Sequence, residues 1–114
     1  MKRNGWIALA ALALLPLAAR AEADKKTERL WKAKCASCHG ADGKGQTDQG
    51  QKMGIADYTA ASWQASHDEA KVKAAIESGV NREKNGKKQE MDPFKDKLEP
   101  AQIDSLAAFV KQLK

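Results

Sequence analysis

The sequence predicts an all-α domain, on three observations. Three stretches carry helical spacing of apolar residues or helix-capping signals, the connections between them are polar and glycine-bearing, and no run alternates apolar and polar residues long enough to argue a strand. The chain has 114 residues, room for one domain and no second core of useful size. Aromatic content is 5% and mean hydropathy is -0.64, so apolar material is thin for a self-supporting fold once the N-terminal segment is set aside. Something else must fill the core.

Residues 1–21 read as a secretory signal. Lys2 and Arg3 form the basic start, Trp6 to Ala19 is the apolar stretch, and Ala19-Arg20-Ala21 fits the small-x-small cleavage pattern. Cleavage is expected after Ala21, with the bond after Ala23 as the alternative, which makes 22–114 the working domain. The apolar run is broken by Pro16 and falls short of the roughly 20 residues that span a bilayer, so no membrane span is expected in the mature chain. Removal of Lys2, Arg3 and Arg20 lowers the formal charge from +5 to +2, because no acid is lost with them. A balance so small, spread as mixed Lys, Glu and Asp, excludes the concentrated basic face that nucleic-acid binding requires.

The first helix is expected from about Asp24 to about Ala36, with Asp24 as N-cap and Leu30, Trp31, Lys34 and Cys35 near one face. From His39 to about Tyr58 the glycines at 40, 43, 45, 50 and 54 predict loop. The second helix is expected to open at Ser66, where Ser-His-Asp-Glu reads as a capping box, and to end near Ser78 with Gly79 as its C-cap. Val72, Ala75 and Ile76 form its inward stripe. Residues 81–90 read as a solvated charged loop, followed by Met91-Asp92-Pro93-Phe94. The last helix has Pro100 at its first position and keeps Ile103, Leu106, Ala107, Val110 and Leu113 on one face.

Cys35-Ala36-Ser37-Cys38-His39 matches Cys-x-x-Cys-His, in which two thiols add across the vinyl groups of a haem. One helical turn brings residues three apart onto one side, so both sulfurs face one haem edge while His39 places its imidazole under the iron. A disulfide closing so short a loop would constrain little of the unfolded chain. A dithiol redox site belongs to a strand-helix-strand setting that the pattern does not offer. A structural zinc site needs four ligands, and beyond Cys35, Cys38 and His39 only His67 remains. A haem also accounts for the composition, since a large flat apolar group completes a core that about 93 residues with few aromatics would not build alone.

From the motif onward the chain resembles the class I c-type cytochromes, in particular small bacterial ones. The matching pieces are CASCHGADGKG, DYTAASWQ, AIESG, MDPF and EPAQIDSLAAFVKQL, over roughly residues 25–113. The resemblance implies a cytochrome c fold of three to five short helices wrapped around one covalent haem c. It also implies that the first and last helices cross, with Trp31 meeting Leu106 and Phe109. In two places the chain departs from that pattern. Thr27 stands where the family usually has glycine, so a slightly wider crossing is expected, and no proline lies between His39 and Met91 to orient the histidine with its carbonyl. A carbonyl near Gln51 to Met53 is expected to receive the imidazole N–H instead.

Met91, Met53 and His67 are the residues that remain for the far side of the iron. A methionine in a charged loop has no core stripe to join, and the resembling cytochromes take their distal thioether from this place, which favours Met91 although Asp92 separates it from Pro93. Met53 is expected to pack in the loop, and His67 to sit at the surface of a first helical turn. A thioether opposite an imidazole raises the reduction potential and fills the sixth position. The expected function is therefore that of a periplasmic electron carrier, not an enzyme, working as a monomer that docks transiently with redox partner proteins. Lys44, Lys87, Lys88 and Lys95 are candidates to frame the haem edge for acidic partners. A haem subunit of a larger redox complex, or a peroxidase or gas sensor with an open sixth site, are the competing readings.

Overall fold

The computed structural model describes residues 16–114; the rest of the expected signal segment, residues 1–15, lies outside the described residues. Among the described residues, six helical segments and one antiparallel hairpin follow one another as α1 (Leu17–Lys34), α2 (Ala36–His39), α3 (Asp48–Met53), α4 (Ala61–Ser66), α5 (Glu69–Ser78), β1 (Val80–Lys84), β2 (Lys87–Met91) and α6 (Pro100–Lys111). Among the described residues no helix is long and apolar enough to cross a membrane.

The core lies where α1, α5 and α6 meet. Trp31 from α1, Val72 and Ile76 from α5, and Ile103, Leu106, Ala107 and Val110 from α6 are all buried. The predicted stripe of α6 is the one that packs, with Leu113 completing it partly buried just past the helix end. Leu106, at 1% exposure, contributes about 1.5–3 kcal/mol by burial alone. Ala107 is fully buried between its neighbours, and its small side chain lets α5 and α6 approach. Trp31 packs its indole on Phe109 with ring centroids 5.3 Å apart, which brings α1 onto α6 as expected. Thr27 turns its hydroxyl back to Ala23 O at 3.0 Å, four residues earlier on the same helix.

Several boundaries differ from those read in the sequence. Helix α1 begins before Asp24, because Leu17–Lys34 is rich in Ala, Leu, Glu, Lys and Arg, all strong helix formers. Its residues up to Lys26 are exposed, so cleavage after Ala21 or Ala23 removes no core contact. Ser66 ends α4 instead of opening α5. Asp68 is the N-cap of α5, accepting from Lys71 N–H at 2.8 Å, while Gly79 is the C-cap as predicted. The glycine-bearing loop contains α3, capped by Thr47, whose hydroxyl accepts from Gly50 N–H at 2.9 Å.

The largest correction is at residues 81–90, which form a hairpin and not a solvated loop. Asn85 and Gly86 both adopt positive φ, 53° and 76°, as a two-residue primed turn requires. The register pairs Val80 with Met91 and Arg82 with Gln89. Met91 accordingly stands at the end of a strand.

Candidate functional site

A cavity of about 720 Å³ opens between these elements, within the range of cofactor pockets. Cys35, Cys38 and His39 line it from the α1–α2 junction, and Met91 lines it from the end of β2. The four residues singled out in the sequence thus share one cavity. Met53 and His67, the two other candidate ligands, line it as well, and Trp31, Tyr58, Trp63, Phe94 and Leu106 supply apolar wall.

The motif is held by its backbone. Cys35 N–H bonds to Trp31 O at 2.8 Å and His39 N–H to Cys35 O at 3.0 Å, which continues the α1 helix into the turn α2 that presents both sulfurs and the imidazole. Three successive carbonyls are then tied down: Thr47 Oγ1 donates to Cys38 O at 2.6 Å, Gly45 N–H to His39 O at 2.8 Å, and the Trp31 indole N–H to Gly40 O at 3.0 Å. Gly50 has no room for a side chain, since a Cβ there would meet Gly45 O and lie 2.7 Å from Cys38 O. Helix α3 therefore seats directly on the attachment turn. The His39 ring sits between Trp31 and Tyr58, at centroid distances of 5.7 and 5.1 Å.

Burial holds His39 neutral, its pKa lowered to about 4, so the imidazole keeps a lone pair for a metal. Its Nδ1 is buried without a hydrogen-bond partner. The expectation that a carbonyl of Gln51 to Met53 receives this ring is therefore not met. Two of those carbonyls accept from the hairpin: Lys87 Nζ donates to Gln51 O at 3.0 Å and Gln89 Nε2 to Met53 O at 2.9 Å. Burial, and then the neighbouring Cys38, push the Cys35 thiol up to about 11. Burial likewise raises Tyr58 to about 12, opposed by the Arg82 guanidinium. Both cysteines carry free thiols. Two thiols one turn apart and an orphaned neutral imidazole, with a methionine lining the same cavity of this size, fit an iron porphyrin.

On the Met91 side of the cavity, Phe94 N–H bonds to Ile76 O at 2.9 Å and Lys95 N–H to Glu77 O at 3.2 Å, so the Met91-Asp92-Pro93-Phe94 segment is pinned to the end of α5. His67 is half-buried and stacked on Trp63, centroids 4.4 Å apart, with Nδ1 engaged by Trp63 O and Ser66 Oγ. It is not the plain surface residue expected. Nor do Lys44, Lys87, Lys88 or Lys95 line the cavity; the cations that do are Lys34, Lys71, Arg82 and Lys84. Lys88 pairs with Glu90 at 3.0 Å. Sequence reasoning also passed over Thr47, Arg82 and Gln89. A Thr-Asp pair marks Thr47 as a helix cap, whereas nothing in a polar run distinguishes Gln89.

The cytochrome c family model matches residues 25–114. No curated protein sequence matches this chain. Among solved structures, the KustC0563 c-type cytochrome is 31% identical, with a TM-score of 0.64 over 77% of this chain and 96% of that one. A tyrosine-to-phenylalanine mutant of Kustc0563 gives 31% identity and a TM-score of 0.63 over 77% of this chain and 98% of that one. With a helical shell closed around the Cys35-Cys38-His39 cavity and these likenesses in hand, the chain belongs to the cytochrome c family, as a class I c-type cytochrome.

Proposed function

We propose that this chain is a periplasmic carrier of single electrons, with one haem bound through Cys35 and Cys38 and its iron ligated by His39 and Met91. The observation that carries the reading is the single cavity that Cys35, Cys38 and His39 line from one side and Met91 from another. Cys35 and Cys38 would hold the haem as two thioethers, each thiol adding across one vinyl group so that nothing need be released. His39 enters as a neutral base because its site is desolvated. Trp31, Phe94 and Leu106 keep water from the cavity wall, and Met91 is anchored by strand pairing with Val80. When bound, the haem supplies a ferric/ferrous couple, and no side chain here needs to move a proton. Lys34, Lys71, Arg82 and Lys84 around the cavity steer acidic redox partners. Export, with removal of residues 1–21, rests on the basic-apolar-small pattern of the N-terminus.

The test is expression with haem-maturation machinery, followed by optical spectra in both redox states. A covalent low-spin haem with the ferric charge-transfer band of methionine ligation, lost in Met91→Ala, is the expected result. A high-spin spectrum that shifts readily with carbon monoxide would refute the carrier reading in favour of an open-site sensor or peroxidase.

A further inference from the structure

We propose that Gln89 is the positioning residue for Met91, a strut that ties the strand bearing the distal ligand to α3, which is itself bonded to the turn bearing the proximal one. The inference rests on the proposed His39 and Met91 ligation.

Gln89 is 8% exposed on a hairpin whose residues are otherwise exposed apart from Val80 and Met91. Its carboxamide makes three hydrogen bonds. Nε2 donates to Met53 O at 2.9 Å and to Gly54 O at 3.1 Å, and Oε1 accepts from Arg82 Nε at 2.8 Å across the hairpin. Buried amides on strands are costly unless paired, and here both Nε2 donors hold β2 to the end of α3 while Oε1 ties β2 to β1.

Side chains two apart on a strand share a face, so Gln89 and Met91 leave β2 on the same side, and both line the cavity. At its other end α3 is bonded to the haem-attachment turn through Thr47 and Cys38 O. A continuous path thus runs from the turn that carries His39, through Thr47 and α3, to Met53 O and Gly54 O, and through Gln89 to Met91. The only other side-chain bond from the hairpin to α3 among the described residues is the exposed Lys87 to Gln51 O contact. Loss of Gln89 leaves Met91 held from the α5 side and loose on the α3 side.

The experiment uses the haem-loaded protein and compares Gln89→Leu, Gln89→Glu and Arg82→Leu. Gln89→Glu retains the acceptor for Arg82 but replaces the NH2 group by an oxygen that faces two carbonyls; Arg82→Leu leaves both bonds to α3 in place. In guanidinium titrations the ferric methionine charge-transfer band is followed beside the far-ultraviolet helical signal. In both Gln89 variants the band is expected to disappear at lower denaturant than the helices. The equilibrium constant for methionine dissociation should rise about tenfold to a hundredfold, as for the loss of two hydrogen bonds. Arg82→Leu is expected to keep the two transitions together. Should Gln89→Leu not accumulate, Gln89→Glu reads the same separation. Coincident transitions at parental band intensity in the Gln89 variants overturn this proposal alone. Absence of the band from the parent protein overturns the ligation reading and this proposal with it.

Discussion

Replacing Trp31 by phenylalanine removes a single hydrogen-bond donor from the centre of the molecule. Trp31 is 3% exposed, and its indole N–H supplies the bond to Gly40 O at 3.0 Å, one residue after the expected proximal ligand. Phenylalanine keeps the contact with Phe109 but cannot donate, and it leaves a buried carbonyl unsatisfied at a cost of about 1–3 kcal/mol. The smaller ring forfeits about 1 kcal/mol more of apolar burial. Trp31→Phe should therefore lose about 2–4 kcal/mol in guanidinium titrations of the haem protein followed by circular dichroism, with an unchanged slope. A loss below about 0.5 kcal/mol would show that Gly40 O finds another partner and that the indole N–H does not hold the attachment turn.

Gly79 has φ 72°, and a Cβ there would meet Met91 O and lie 2.8 Å from Pro93 N. Gly79→Ala should weaken the Met91–Phe94 segment by about 2 kcal/mol or more and, on the proposed Met91 ligation, raise susceptibility to carbon monoxide; a parental binding curve would contradict the contact. Thr47→Val removes the donor to Cys38 O and the cap of α3 together, and thermal unfolding should report a loss of about 1–2 kcal/mol. In the haem-free chain the Cys35 thiol, raised from 9.0 to about 11, carries about a hundredfold less thiolate at pH 8 than an unperturbed cysteine. Alkylation at Cys35, mapped by mass spectrometry, should be correspondingly slow at pH 8 and recover as pH rises toward about 11; a rate at pH 8 equal to that of a cysteine peptide would refute the burial argument.

Much of the molecule is legible along the chain because its signals are local. Cys35, Cys38 and His39 announce their chemistry by a spacing that one helical turn explains, and the apolar stripe of α6 is read directly from its periodicity and from Pro100. Gly79 is likewise a legible helix end, even though the cap at the other end of α5 falls on Asp68 and not Ser66.

What the tertiary structure alone decided is how the Met91 side of the cavity is built. The hairpin carries a local signal in Asn85-Gly86, but its flanks are polar on both faces, so no alternation reveals strands; the pairing is stabilised by backbone bonds and by Gln89. The partner of Gln89 lies 36 residues earlier, and His67 reaches the cavity wall because α4 ends at Ser66 and its ring stacks on Trp63. Nothing local encodes such distances. The sequence by itself determined the family, the covalent attachment motif and the buried face of the last helix, because each is written in spacings of three or four residues. Which cations border the cavity, where Met91 stands, and which carbonyls the hairpin bonds were decided only when chain segments distant in sequence packed together.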